Sequence, residues 1–281
     1  MEHQLALVAC DLDRTLIYSR RASGLGRADH STPLRCVEWR EGAPLSYLTE
    51  QAARLLGELA AEAIIVPVTT RTREQYARVN LPGPVANWRP PYAICGNGGR
   101  LLVDGAADPE WDAVVAARLA GDCATLGEVV EQLARRADPA WTRGLRTAEG
   151  LFAYLVVERE LLPAGWLVEL TGWCAERGWT VSPQGSKVYA VPKPLTKSAA
   201  LAEVVRRVGG SPLVLAAGDS LLDADLLLAA DQAWRPGHGE LAELGWPAGG
   251  GGSVTALTKR GVLAGEEIVR TLLARVRAER S

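Results

Sequence analysis

The chain has 281 residues, enough for one large domain or two modest ones. Its 31 Lys and Arg nearly balance 33 Asp and Glu, for a formal net charge of −2, so neither nucleic acid nor an acidic membrane surface is an expected partner. Hydrophobic residues make up 48% of the chain, yet no apolar run is long enough to span a bilayer. Five cysteines (10, 36, 95, 123 and 174) form no C-x-x-C pair, and an odd count without framework spacing points to reduced thiols and a cytoplasmic setting. Met1 to Gln4 lead straight into an apolar run, without the basic region and cleavage site of a secretory signal.

The run from Leu5 to Cys10 reads as a strand buried on both faces, and it ends abruptly in Asp11 and Asp13 with a hydroxyl at Thr15. Carboxylates are costly inside a sheet, which places this pair at the carboxyl edge, where open α/β sheets bind ligands. Two like charges that close call for a cation, and oxygen ligands suit Mg²⁺. An acidic turn after a strand explains the pair equally well when it is taken alone.

Residues 17 to 46 follow as a long, irregular, polar and basic segment, with Val37 to Arg40 as a possible hairpin arm. Apolar residues at helical spacing then predict a helix from Pro44 to Ala61. Ala63 to Val68 is a second buried strand. Thr69 and Thr70 at its end stand where a helix begins, a place suited both to capping and to holding a phosphate. A Pro-rich loop over 79 to 91 leads to a short strand from Tyr92 and a turn at Asn97, Gly98 and Gly99 that tolerates left-handed backbone.

From Arg100 the pattern changes. Strands at 101–103, 151–157, 179–182 and 186–191, with helices at 125–137 and 163–177, predict a smaller α/β unit on an antiparallel sheet, inserted into the main fold. A helix opening at Lys197 and stopped by Gly209 and Gly210 returns to the main domain. A lysine there opposes the helix dipole and asks for a reason. Pro212 to Asp223 then repeats the opening grammar: a buried strand, Gly218 for a tight turn, and an acidic edge at Asp219 and Asp223, with Ser220 between them. A short strand near Ala233, a helix around Leu241 and a last helix from Ala264 complete the main domain. The glycine run 249–252 lacks the pattern of a dinucleotide loop, and His238 in Pro-Gly-His-Gly reads as a turn residue.

The ordered set resembles the haloacid dehalogenase (HAD) superfamily of phosphotransferases: Asp11-Leu-Asp-Arg-Thr15, Thr69, Lys197 and Gly218-Asp-Ser-Leu-Leu-Asp223 match its four motifs in order. The insert between the second and third motifs is similar to the type-2 cap of the Cof-like, sucrose-phosphatase-like and mannosyl-3-phosphoglycerate-phosphatase-like branch. The resemblance implies a doubly wound, mainly parallel Rossmann-like core over 1–100 and 188–281, with an inserted α/β cap over 101–187. It implies a Mg²⁺-dependent phosphatase acting on a small phosphorylated metabolite of the sugar phosphate or phosphoglycerate-ester kind. In that scheme Asp11 is the nucleophile, Asp13 the general acid and base, and Thr69 and Lys197 hold the phosphoryl oxygens. Thr70, Asn97, Gly98, Lys187 and Ser220 would contact substrate or phosphate, and Asp11, Asp13, Asp219 and Asp223 would form the metal site. Arg143, Arg146 and Gln184 join Lys187 as candidates for the leaving group. A phosphomutase and a non-catalytic phosphate-binding regulator are the alternatives on the same fold. The expected protein is a monomer or homodimer.

Overall fold

The computed structural model describes residues 4–26, 31–121, 123–246 and 253–280. Contacts divide it into two compact units: residues 1–108 with 197–281, and residues 109–196. The elements of the first unit are β1 (Ala6–Asp11), β2 (Tyr18–Ser19), β3 (Leu34–Arg40), β4 (Ala43–Thr49), α1 (Glu50–Glu62), β5 (Ile64–Val68), α2 (Arg73–Tyr76), β6 (Tyr92–Cys95), β7 (Arg100–Val103) and β8 (Ala106–Ala107). The second unit holds α3 (Pro109–Leu119), α4 (Leu126–Arg136), β9 (Thr142–Ala148), β10 (Phe152–Val157), α5 (Trp166–Ala175), β11 (Trp179–Gln184) and β12 (Lys187–Pro192). The first unit resumes with α6 (Lys197–Val208), β13 (Leu213–Ala217), α7 (Ala224–Ala229), β14 (Gln232–Arg235), α8 (Glu240–Glu243), β15 (Ser253–Ala256) and α9 (Val262–Glu279).

Eight strands form the main sheet in the order β15-β14-β13-β1-β5-β6-β7-β8, parallel except at β6–β7 and β7–β8. β1 lies between β13 and β5, and every residue from Ala6 to Asp11 is buried. Alternation along the strand serves both faces. Ala6, Val8 and Cys10 join one hydrophobic cluster with Leu55, Leu56 and Leu59 of α1 and Ile268, Leu272 and Val276 of α9. Leu7, Ala9 and Asp11 face the other side, where α6 and α7 pack on each other. Asp11 is thereby aimed at the layer that carries Lys197.

The segment 17–46 is not the irregular connection that its polarity predicts. Its described residues include the strands of a three-stranded antiparallel sheet, β2-β4-β3, with β3 and β4 joined through Glu41 and Gly42, both at positive φ. Its alternation is hidden because the β3–β4 register shifts on both sides of Glu38. The expected helix from Pro44 begins only at Glu50: residues 43–49 are strand, and the Thr49 side chain caps the helix by accepting the Ala52 N–H.

In the second unit, β11-β12-β10-β9 form an antiparallel sheet, as expected. The structure adds α3 and β9. β9, Thr-Arg-Gly-Leu-Arg-Thr-Ala, is an edge strand too polar and exposed to show an apolar period. The boundaries also move. β7 pairs with β6 in the main sheet, so the first junction lies at 108/109 and not at 100/101; β12 is interior to the antiparallel sheet, so the second lies at 196/197 and not at 187/188. The glycine run 249–252 lies outside the described residues. All five cysteines are free thiols.

Candidate active site

Four separated pieces of chain meet at the carboxyl edge of the main sheet. β1 ends at Asp11, β5 is followed by Thr69, α6 begins at Lys197, and the turn after β13 carries Asp219 and Asp223. The Lys197 ammonium is fully buried; it donates to Asp11 Oδ1 at 2.7 Å, to Asp223 Oδ1 at 2.5 Å and to the Val68 carbonyl at 3.4 Å. Burial opposes a charge on Lys197, but Asp11 and Asp223 outweigh it and hold the group firmly protonated. The lysine that seems misplaced at a helix N-terminus is thus the counter-ion of two buried acids.

Both oxygens of Asp223 are engaged. Its Oδ2 accepts from the Asp219 N–H (3.1 Å), the Ser220 N–H (2.9 Å) and Ser220 Oγ (2.7 Å), while Oδ1 faces Lys197. Asp223 therefore shapes the turn and anchors the lysine, and Ser220, read from sequence as a phosphate contact, gives its hydroxyl proton to that brace. Gly218 is required because a Cβ there would lie 2.4 Å from Asp223 Cβ.

Asp11, Asp219 and Asp223 present carboxylate oxygens within 4.8 Å of one another, and all three are buried. Burial pushes Asp11 up, Lys197 pulls it back, and Asp223 and Asp13 add to the rise, which ends at about 7. Burial and the charges of Asp11 and Asp223 raise Asp219 well above the usual carboxylate range. One lysine and the Arg14 guanidinium, whose Nε lies 3.4 Å from Asp219 Oδ2, leave negative charge in excess. An all-oxygen donor set with that excess fits a hard divalent cation such as Mg²⁺. Asp223 is the most heavily hydrogen-bonded of the three, and Asp11 and Asp219 have the less engaged carboxylates.

Asp13 is set apart from this cluster. Its side chain is 46% exposed and is gripped by Arg71, with Nε on Oδ2 at 2.7 Å and Nη2 on Oδ1 at 2.8 Å. Its carboxylate is not part of the acidic triplet.

The Thr69 loop is fixed from both sides. Thr69 N–H donates to the Ile94 carbonyl, the Thr69 carbonyl accepts from Asn97 N–H, and the Arg71 carbonyl accepts from Gly96 N–H. Thr69 Oγ1 accepts the Arg71 N–H at 3.1 Å, which leaves the hydroxyl proton available to a ligand. The short helix beyond is capped by Thr72 in a capping box with Gln75, not by Thr69 or Thr70. Asn97 is buried in the left-handed conformation (φ 56°, ψ 39°), and with Gly98 forms the turn that fastens this loop.

Arg14 and Arg71 carry no signal in the sequence, and His238 reads there as a turn residue. Buried His238 has Nε2 2.9 Å from the Arg14 carbonyl, and Nδ1 accepts the Gly261 N–H at 3.3 Å, so the ring is neutral with its proton on Nε2. Arg14 itself has positive φ (67°), and this brace holds the turn between Asp13 and Thr15. At Gly239 (φ +92°) a Cβ would lie 2.4 Å from Asp219 Oδ2, so the Pro-Gly-His-Gly turn is built to pass close to the site. Only position explains these residues, and position is not legible before folding.

Lys187 lies in the second unit, its ammonium 5.2 Å from the Tyr154 ring centre and 5.7 Å from that of Tyr189. Strand register puts Gln184, Lys187, Tyr189, Tyr154 and Arg146 on one face of that sheet. Arg143 is committed elsewhere, to Glu158 Oε1 at 2.7 Å and the Pro139 carbonyl at 2.8 Å.

Among solved structures the chain is similar to the sucrose-phosphatase of Synechocystis sp. in complex with sucrose and phosphate, at 15% identity and TM-score 0.62, over 96% of this chain and 98% of that one. The chain has the fold of the HAD phosphatases. A HAD subclass IIB sugar phosphatase superposes with TM-score 0.55 at 12% identity, covering 96% and 98% of the two chains. The C-terminal domain of trehalose-6-phosphate phosphatase from C. albicans gives TM-score 0.54 at 12% identity, covering 97% and 93%. No protein-family model and no curated protein matches the sequence. The HAD fold therefore rests here on spatial arrangement, as does the meeting of the four motif positions. No helix among the described residues is long and apolar enough to cross a membrane.

Two outcomes follow from this geometry. Lys197→Met leaves Asp11 and Asp223 buried without their cation and should lower unfolding free energy at neutral pH by about 3–5 kcal/mol, read from urea denaturation; a loss below about 1 kcal/mol would refute the counter-ion role. Burial lowers the His238 pKa from 6.5 to about 4. Between these values the unfolded chain holds a proton that the folded chain refuses, so its stabilising effect is complete above pH 6.5 and fades as pH falls toward 4. Its contribution to the slope is at most ~1.4 kcal/mol per pH unit and is read as the difference between the unaltered chain and His238→Gln.

Proposed function

We propose that this chain is a Mg²⁺-dependent phosphatase that hydrolyses a small phosphorylated metabolite, a sugar phosphate or a related ester, through an aspartyl-phosphate. The observation that carries the reading is the buried Lys197 joining Asp11 to Asp223 beside Asp219, with Asp13 and Thr69 at the same sheet edge. A structural salt bridge would need neither the third acid nor a half-exposed fourth.

Asp11 would attack phosphorus, dividing hydrolysis into two displacement steps. Its approach to an anionic ester requires local positive charge, which Lys197 supplies from one side. A bound Mg²⁺, held by Asp11 and Asp219 with the Asp13 carbonyl that the family resemblance adds, would supply Lewis acidity and neutralise phosphoryl charge. The Thr69 hydroxyl, whose oxygen is already fixed by the Arg71 amide, would donate to an equatorial phosphoryl oxygen, with the Thr70 backbone assisting. Asp13 would give a proton to the leaving oxygen and later take one from water.

The sugar phosphatases sharing the fold suggest the substrate class. The sheet face bearing Lys187, Tyr154, Tyr189, Gln184 and Arg146 has suitable chemistry for a polyhydroxylated or anionic leaving group: aromatic faces, amide and cations.

The protein should release phosphate from p-nitrophenyl phosphate with Mg²⁺, and stop when EDTA is added. Asp11→Asn should lower turnover by at least ~10³-fold while the far-UV spectrum and melting cooperativity stay unchanged; activity surviving that change excludes the covalent route. Mg²⁺ should also raise the melting temperature of the unaltered chain but not of Asp219→Asn, a readout independent of turnover.

A further inference from the structure

Asp13 is held by an arginine that is itself held. All three guanidinium nitrogens of Arg71 are engaged: Nε and Nη2 on Asp13, and Nη1 on Glu38 Oε1 at 2.8 Å. Glu38 is only 2% exposed, an unusual state for a glutamate unless it is paired. It sits on β3 with the strand register shifted on each side of it, a device that re-aims a side chain. Its cross-strand partner on β4 is Ser46, whose hydroxyl donates to Glu38 Oε2 at 2.5 Å and also lies 3.4 Å from Arg71 Nη2. Arg78 Nε adds a second cation 3.5 Å from Glu38 Oε1. Burying such an ion pair contributes little net stability compared with apolar packing. What the arrangement does secure is direction: the far end of a buried network presents a rigid fork to one half-exposed carboxylate.

We propose that Arg71, braced by Glu38 and Ser46 of the β3–β4 hairpin, is the positioning residue that fixes the Asp13 carboxyl for proton transfer. The proposal rests on the phosphatase reading above. As an Asp11 oxygen bonds to phosphorus and the ester P–O bond breaks, the Asp13 proton passes to the departing oxygen, leaving an alcohol and the Asp13 carboxylate. That carboxylate is the form whose two oxygens the Arg71 fork accommodates. In the second step a water oxygen bonds to phosphorus and the aspartyl P–O bond breaks. Asp13 takes the water proton, and inorganic phosphate and free Asp11 result. In both steps Arg71 acts only through the Asp13 carboxyl, to which it donates. Its effect is to keep one acid facing one direction through both.

The test compares leaving groups. p-Nitrophenolate departs without a proton, whereas phenoxide from phenyl phosphate is a poorer leaving group and depends on the acid. Glu38→Gln and Arg71→Lys should lower kcat/KM, which reports the first step, ~10- to 100-fold more for phenyl phosphate than for p-nitrophenyl phosphate, because general-acid assistance is typically worth ~10²–10⁴. Ser46→Ala should move the same ratio in the same direction by a smaller factor, and it decides the matter if either charged variant fails to fold. Equal losses in kcat/KM on both substrates, or a ratio of the two that does not move, would each overturn the positioning role. An unaltered chain that hydrolyses neither ester defeats the phosphatase reading and this proposal with it; normal hydrolysis with a flat ratio defeats this proposal alone.

Discussion

The site depends on one buried ammonium. Lys197 has left water entirely, and such a group is tolerated only when its charge and its donors are matched. Asp11 and Asp223 match them, and each belongs to a different segment: the end of β1 and the turn after β13. Because β1 and β13 are neighbours in the sheet, their carboxyl ends are already level before α6 arrives. The lysine then ties helix to sheet at that edge. The same constraint explains the face on which Asp11 stands, since Leu7, Ala9 and Asp11 alternate toward the layer of α6 while Ala6, Val8 and Cys10 pack with α1 and α9.

Two aspartates separated by a single residue have opposite environments, the kind of difference that sets two carboxyl groups apart chemically. Asp11 is buried in a cluster with more acids than cations, its pKa pushed up to about 7, which prepares the pocket for added positive charge. Asp13 has turned out of the sheet and is paired with Arg71 in a separate network containing Glu38, Ser46 and Arg78. Leu12 makes the separation possible: its carbonyl accepts from the N–H groups of Leu16 and Ile17, curling the chain so that the two carboxylates leave the strand in different directions.

What the sequence revealed followed burial. Strands at 6–11, 64–68 and 213–217 are continuous apolar runs, and Asp11, Asp219 and Asp223 are conspicuous because charge interrupts such runs at their ends. Lys197 is conspicuous for opposing a helix dipole. The rest had no local signature. Glu38 lies in a strand whose register shifts hide its alternation, Arg71 is one arginine in a threonine-rich loop, and His238 sits among glycines. β9 was missed because an exposed edge strand has no apolar face to display, and β7 was misassigned because four residues cannot indicate which sheet they join.

Identity of 15% over nearly the whole length, alongside a TM-score of 0.62, marks how few positions a fold of this kind must keep. The parallel strands need only apolar residues that fill both faces, and many sequences satisfy that requirement. Fold alone does not settle chemistry, so the weight of the functional reading falls on charged groups that packing would otherwise reject. The β2-β4-β3 sheet extends this logic. A polar connection between the first strand and α1 could have stayed on the surface as a loop. Instead it folds into strands, buries a glutamate, and directs it at the arginine that holds Asp13. A segment outside the main sheet is thereby made part of the support for the half-exposed acid at its edge, and the electrostatics of Asp13 depend on residues that the parallel core does not supply.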